Sequence, residues 1–180
     1  SMYVDGALVA DGDSGSEITF TSSSVSKAAG DWGTIRFNNT SNVGSVLDYV
    51  IIEYGGGAST GALITYKTGA FGVNLTNSEL RFSSGHGIDL RASSPVIEAT
   101  TLRDNSGYGV YSDLALNFEV QSSTIIRNTG GGVRVPINAT PVIYDSQIDT
   151  NGVGIYLDNG SSPEITFNQI RANTTGIRVI

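Results

Sequence analysis

The sequence predicts an all-β chain, a single-stranded right-handed parallel β-helix of about seven coils and three sheets. Aliphatic residues recur at intervals of 22 or 23 positions over the second half of the chain. Glycine is abundant, with 23 residues, and proline is scarce, with 4. Serine, threonine and asparagine stand beside isoleucine and valine throughout. This composition favours short strands and tight turns over helices.

Three aliphatic positions recur in each period, and each predicts one short strand. The first series steps by 22, 23, 23 and 22 and consists of Leu75, Ile97, Val120, Ile143 and Ile165. The second follows five residues later: Leu80, Leu102, Ile125, Ile148 and Ile170. The third consists of Ile88, Val110, Val133, Ile155 and Ile177. Three short strands are too few for a propeller blade, and the leucine pattern of a leucine-rich repeat is missing. One coil of a β-helix fits, with inward aliphatics stacked ~4.8 Å apart on three sheets.

The first half of the chain follows the same plan with longer turns. Ile18 and Leu47 continue the first series upward from Leu75, in steps of 29 and 28 residues. The additional residues fall in turns at 22–33 and 55–61, and residues 7–9 are expected to end a preceding coil. We therefore expect one β-helix domain over residues 1–180, with Ser1-Met2 as a cloning scar. The final strand has no cap, which is typical of a fragment whose open ends meet further coils or another domain.

Charge and composition exclude several function classes. The chain has 10 lysines and arginines against 17 acidic residues, a net charge of −7, which argues against nucleic acid as a partner. No apolar stretch approaches the ~18 residues of a membrane span. Cysteine is absent, so a thiolate metal site is excluded. His86 is the single histidine and is expected in an exposed turn, and neither a metal site nor a cofactor is expected.

Several motifs carry a resemblance to a known family. These are the repeated N-x-G-x-G motifs, the strand starts SPVI and TPVI, and the stretch GDWGTIRF to SVLDYVIIEYGG at 30–56. They resemble the parallel β-helix repeat proteins of the pectate-lyase-like superfamily, and the resemblance extends over nearly the whole chain. It implies a secreted or cell-surface microbial protein. It does not imply one activity, because this fold carries lyases, hydrolases, epimerases, adhesins and phage tailspikes.

Asparagine recurs in register with the repeat at one turn of the predicted coil. An inward asparagine can bond to the asparagine of the next coil and satisfy backbone groups of the turn. The glycines that follow do not indicate a phosphate loop, because such a loop needs a helix after it and here a strand follows. The predicted asparagine ladder consists of Asn105, Asn128, Asn151 and Asn173.

The outward positions of the third strand suggest a binding surface. They read Arg36, Ile64 and Asp89 in the early coils and then alternate tyrosine with arginine. Exposed tyrosines can stack on sugar rings, and arginines can bind hydroxyls or carboxylates. The candidate ligand-binding residues, for a polysaccharide or cell-surface glycan, are Tyr111, Arg134, Tyr156 and Arg178. The alternative is a stable face without a ligand, since arginine packs well over tyrosine.

Two functions from different classes remain. The first is a non-catalytic extracellular module, a rigid surface or adhesive segment that binds glycan along an exposed sheet face. The second is a polysaccharide-active enzyme, a lyase or glycoside hydrolase, with Glu98 and Glu119 as paired carboxylates on neighbouring coils. The sequence shows neither the Asp–Asp cluster with histidine and lysine of the resembled polygalacturonases nor the acidic calcium site of the resembled lyases. The first function therefore leads, and it has no catalytic residue.

Overall fold

The computed structural model describes residues 1–38, 44–59, 61–67, 73–114 and 117–180. Within these ranges every regular element is a β-strand, and all pairings between strands are parallel. The strands form three sheets wound into a right-handed solenoid, which confirms the predicted fold class.

Each coil contributes one strand to each sheet, in a fixed order. In the described residues the first and second sheets have seven strands each and the third has eight. The first sheet contains β2 (Val9–Asp11), β5 (Val46–Asp48), β8 (Leu75–Thr76), β11 (Val96–Glu98), β14 (Glu119–Gln121), β17 (Val142–Tyr144) and β20 (Glu164–Thr166). The second contains β3 (Ile18–Phe20), β6 (Val50–Glu53), β9 (Glu79–Arg81), β12 (Thr101–Arg103), β15 (Thr124–Ile126), β18 (Gln147–Asp149) and β21 (Gln169–Arg171). The third contains β1 (Met2–Val4), β4 (Ile35–Phe37), β7 (Ala62–Tyr66), β10 (His86–Leu90), β13 (Tyr108–Ser112), β16 (Gly131–Val135), β19 (Val153–Leu157) and β22 (Thr175–Val179).

The coils are regular only in the C-terminal part of the chain, from Leu75 onward. From β8 to β22 the strands form about five regular turns, in which Ile97 pairs with Val120 and Leu102 with Ile125. Two longer coils precede them in the described residues. The count of about seven coils is therefore reached only when these irregular N-terminal coils are included.

The inward aliphatic residues form one continuous core along the axis of the solenoid. In one coil Ile97, Leu102 and Val110, one from each sheet, are all 0% exposed. Burying a side chain of this size contributes about 1.5–3 kcal/mol. The next coil repeats the arrangement with Val120, Ile125 and Val133. Because inward positions are fixed in this way, the residue that follows each of them in its strand faces outward, and these residues form the surfaces of the three sheets.

Two register predictions for the first half are wrong. Ile18 lies in β3 of the second sheet and pairs with Val50, and Ala10 in β2 takes the place beside Leu47. Residues 7–9 therefore lead into the first sheet, and they do not end a preceding coil. The physical reason is the long turn at 22–33, which separates Ala10 from Leu47 by 37 positions. An alanine also gives a much weaker apolar signal than the isoleucine nearby.

The turns on both sides of the second sheet each contain one residue in the left-handed region. After the first sheet these are Tyr49, Asn77, Ala99, Ser122, Asp145 and Phe167. After the second sheet they are Tyr54, Phe82, Asp104, Arg127, Thr150 and Ala172. This conformation costs a non-glycine residue roughly 1–2 kcal/mol. It persists because backbone bonds between coils hold it, as between Asp104 N and Ile126 O at 3.3 Å.

Thr150 gives a test of this backbone strain. It has a φ of 57°, and a β-branched side chain is poorly suited to that region. We expect Thr150→Gly to raise the free energy of unfolding by about 0.5–1 kcal/mol, since glycine tolerates positive φ. Urea unfolding measures the change. Thr129→Gly, at an exposed position outside the left-handed region, is the control and should be destabilising. A Thr150→Gly variant that is destabilised as much as Thr129→Gly would show that the turn is not strained.

Candidate ligand-binding face

The outer surface of the third sheet carries two columns of side chains, which together we call the third-sheet face. In each strand of the regular coils the second residue is a glycine that points inward; a Cβ added at Gly109 would lie 3.2 Å from Asn128 Nδ2. The first and fourth residues of each strand therefore face outward. The first column contains His86, Tyr108, Gly131, Val153 and Thr175. The second contains Asp89, Tyr111, Arg134, Tyr156 and Arg178.

The four residues predicted to bind ligand lie on four consecutive coils. Arg134 pairs with Tyr111 on one side and with Tyr156 on the other. Its Cζ atom lies 4.9 Å from the Tyr111 ring centroid and 6.0 Å from that of Tyr156. Arg178 Cζ lies 5.5 Å from the Tyr156 ring centroid. Such cation–π contacts contribute roughly 0.5–1 kcal/mol each at exposed sites. The four side chains thus form one continuous stack along the solenoid.

The two arginines of this stack differ in how firmly they are held. Arg134 donates from Nη1 to Tyr111 Oη at 2.9 Å and from Nη2 to Asp158 Oδ2 at 2.7 Å. Arg178 is exposed and makes no ion pair with the part of the chain that the structure describes. Arg134 therefore orients Tyr111, and Arg178 leaves its N–H donors open to a ligand.

His86 belongs to the same face, and the prediction that it lies in an exposed turn is wrong. It begins β10, is half-buried, and stacks on Tyr111 with a centroid distance of 4.3 Å and an interplanar angle of 13°. Its Nδ1 accepts a hydrogen bond from Tyr108 N at 2.9 Å. Burial, together with the nearby charges of Arg134 and Arg91, lowers the pKa of His86 to about 4. The interval of 22 residues between His86 and Tyr108 was the sequence signal for this position.

The prediction that Ile64 faces outward on the third strand is wrong. Ile64 pairs with Ile35 and Ile88 and faces the core, so the outward residue of β7 is Thr65, which pairs with Arg36 and Asp89. A shift of one residue along a strand moves a side chain to the opposite face, and the irregular turn before β7 hides that shift in the sequence.

Asp89 is a buried carboxylate on this outward column. It is 0% exposed, and its Oδ2 accepts a hydrogen bond from Arg91 Nε at 2.8 Å. Its Oδ1 has no hydrogen-bond partner among the residues that the structure describes. Burial raises the pKa of Asp89, against the opposing effect of Arg91. Complete burial keeps this carboxylate out of contact with a ligand on the surface.

The carboxylates of the enzyme hypothesis lie on the first sheet, on neighbouring coils but not opposite each other. Glu98 pairs with Gln121, and Glu119 pairs with Val96. Such diagonal neighbours are roughly 7–8 Å apart, a separation compatible with paired carboxylate catalysis. Both are exposed, and no described side chain forms an ion pair with either. No ion pair among the described residues therefore fixes the orientation of either carboxylate.

Asparagines at the turn between the second and third sheets, directly before the third-sheet face, bond to one another from coil to coil. Asn105 Nδ2 donates to Asn128 Oδ1 at 2.9 Å, and Asn128 Nδ2 donates to Asn151 Oδ1 at 3.1 Å. Asn151 Nδ2 donates to Asn173 Oδ1 at 3.0 Å. Asn128 Nδ2 also donates to Leu102 O at 3.0 Å, and its Oδ1 accepts from Asn105 N at 3.2 Å. This asparagine column joins four coils through hydrogen bonds that are buried except at its Asn173 end.

A second polar column, between the first and second sheets, is missed by the sequence analysis. It consists of Ser78, Thr100, Ser123, Ser146 and Asn168. Ser123 Oγ accepts from Thr100 N at 3.2 Å and donates to Gln121 O at 2.8 Å, and Ser146 Oγ accepts from Ser123 N at 3.1 Å. The residues step by 22, 23, 23 and 22, so the repeat itself contained the signal.

Comparison with known proteins identifies the family of the fold that carries this surface. A family model described as right handed beta helix region matches residues 60–180, two thirds of the chain. Searches of curated proteins and of solved structures gave no significant match. Among the described residues, no helix has the length and apolar character needed to cross a membrane.

Proposed function

We propose that this chain, which belongs to the right-handed β-helix family, is a non-catalytic extracellular module that binds glycan along its third-sheet face. The observation that carries the proposal is the stack of Tyr111, Arg134, Tyr156 and Arg178 over four consecutive coils. Tyrosine rings offer apolar faces with a hydroxyl, and guanidinium groups offer several donors. A polymer lying along the axis would meet a tyrosine and an arginine in turn on successive coils.

The arrangement of the face also favours binding. Arg134 is fixed by Tyr111 and Asp158, and His86 packs against the Tyr111 ring. Immobilising a flexible side chain on binding costs roughly 0.5–1.5 kcal/mol, and this cost is small where the side chain is already held. In this proposal the solenoid is a rigid surface or adhesive segment of a secreted or cell-surface microbial protein, and it presents a preorganised face to the glycan.

Replacing both tyrosines of the stack tests the binding site. We expect Tyr111→Ala with Tyr156→Ala to abolish binding in a glycan array, with a loss of about tenfold per ring, since each ring supplies about 1.4 kcal/mol of stacking. Tyr144→Ala is the control, because Tyr144 is 41% exposed but lies on the first sheet. Thermal unfolding shows that the variants are folded. Unchanged binding by the double variant, or an equal loss with Tyr144→Ala, would exclude this face.

The enzyme remains as a second candidate because Glu98 and Glu119 have a separation that carboxylate catalysis can use. Assays for reducing sugar and for unsaturated product, over a panel of polysaccharides, decide the question. If the protein turns over a polysaccharide, and each of Glu98→Gln and Glu119→Gln removes that activity, the function is that of an enzyme and the proposal of a non-catalytic module is wrong.

A further inference from the structure

Three cations lie beyond the aromatic stack, toward the N-terminal coils, and we call them the cationic cluster: Arg36, Lys67 and Arg91. Arg36 lies in β4, and the other two directly follow β7 and β10. Lys67 N donates to Phe37 O at 3.0 Å, and Arg91 N donates to Tyr66 O at 2.9 Å. The cluster therefore occupies three consecutive coils, near the carboxyl ends of three neighbouring strands of the third sheet.

The side chains of the cluster share the outer face of this sheet. Each is adjacent in sequence to a residue buried in the core, namely Phe37, Tyr66 or Leu90. Successive residues of a strand point to opposite faces, so the three cations point outward. Lys67 and Arg91 are direct neighbours across coils, and Arg36 is diagonal to Lys67, roughly 7–8 Å away.

The positive charge of the cluster is only partly neutralised. Arg36 and Lys67 make no ion pair in the described ranges, and Arg36 Nε donates instead to the neutral Asn38 Oδ1 at 3.0 Å. Arg91 binds the buried Asp89, and Asp113 Oδ2 is 3.8 Å from its Nη1. The pKa of Lys67 is lowered by burial and then by Arg36 and Arg91, an effect that Asp89 opposes.

The contrast with the second sheet makes this arrangement unusual for an acidic chain. There the arginines face carboxylates, as Arg81 does with Glu53 and Glu79 and Arg171 does with Asp149. The chain has 17 acidic residues for 10 lysines and arginines, so partners for cations are plentiful. Like charges held on neighbouring strands destabilise a sheet. An anion bound between the cations would remove that repulsion.

We propose that the cationic cluster binds a tetrahedral oxyanion, a sulfate or phosphate group, through Lys67 and Arg36 with Arg91 as the third cation. Lys67 offers three N–H donors and Arg36 its Nη donors. Asn38 already occupies the Nε side of Arg36, which leaves the Nη end for a ligand. The oxygens of a tetrahedral group point in several directions, so each of three cations on neighbouring strands can donate to a different oxygen. None of the three cations belongs to the aromatic stack, so the proposal does not depend on the proposed glycan function.

Thermal unfolding with added anions tests the site. Sodium sulfate and sodium phosphate should raise the Tm by several degrees over sodium chloride or sodium acetate at equal ionic strength, because the anion binds only the folded state. Lys67→Gln and Arg36→Gln should each remove this increase. Arg171→Gln, at an exposed arginine on the second sheet, should keep it. The same Tm increase in chloride, or an unchanged response in both Lys67→Gln and Arg36→Gln, would overturn the proposal.

Titration calorimetry distinguishes the source of the oxyanion. Binding of sulfated dextran at least tenfold tighter than inorganic sulfate, lost in Lys67→Gln and absent for unsulfated dextran, supports a group carried on a polymer. Equal affinity per sulfate group supports a free ion. Binding of sulfated dextran that Lys67→Gln and Arg36→Gln leave unchanged would place the contact elsewhere and contradict the cluster as a site.

Discussion

Asn128→Ala is expected to lower the free energy of unfolding by about 3–4 kcal/mol, the largest effect of any substitution considered. Asn128 is 1% exposed and lies in the middle of the asparagine column. Alanine removes the acceptor of Asn105 N and Asn105 Nδ2 and the donor to Leu102 O. Each buried group left without a partner costs about 1–3 kcal/mol, and water cannot replace the amide without opening the coil. Urea unfolding followed by circular dichroism measures the loss.

Asn173→Ala is the matched control for this experiment. Asn173 has the same place in the turn and accepts from Asn151 N at 2.8 Å, but it is only partly buried and ends the described column. Water can reach the groups that this substitution frees, so we expect a loss of about 1 kcal/mol. Equal losses at the two positions, or a loss below about 1 kcal/mol at Asn128, would show that the column does not hold the coils together.

The regular coils were predictable because each inward residue in them has the same neighbours in the coils before and after. Leu102 and Ile125 occupy equivalent places, and both must be aliphatic to fill the core. The requirement therefore appears in the sequence as aliphatic residues at a regular spacing. Ala10 occupies an inward place as well, but a long turn separates it from Leu47, and its small side chain leaves no comparable signal. The periodicity therefore predicts architecture only where the turns have constant length.

The candidate site was predictable at the level of columns and not at the level of contacts. Parallel pairing brings Tyr111 beside Arg134 whenever the repeat is aligned. The repeat does not determine that Arg134 also reaches Asp158 or that Asp89 is fully buried. Those outcomes depend on side-chain rotamers and on which neighbouring side chains cover the sheet, and both differ from one coil to the next. His86 illustrates the difference, because its register was evident whereas its stacking on Tyr111 was not.

Acidification from pH 6.5 to pH 4 is expected to destabilise the protein by up to about 3 kcal/mol through His86 alone. The pKa of His86 is lowered from 6.5 to about 4 in the folded chain, so the folded state favours the neutral imidazole. Its contribution to stability is complete above pH 6.5, where both states are neutral. As the pH falls through this window, the unfolded chain takes up a proton that the folded chain resists, and stability is lost. Protonation would place a charge near Arg134 and Arg91 and remove the acceptor of Tyr108 N.

His86→Phe separates this contribution from that of the carboxylates, which also titrate in acid. Phenylalanine retains an aromatic ring against Tyr111 but has no proton to gain, so the difference in unfolding free energy between the parent and the variant should shrink as the pH falls. Urea unfolding at several values between pH 7 and pH 4 gives that difference. Because His86 is the single histidine, its NMR titration reports the folded pKa without ambiguity. A midpoint near 6.5, or a difference that does not vary with pH, would mean that the ring is open to solvent. The stack on Tyr111 would then not hold it, and the preorganised third-sheet face would lose one of its supports.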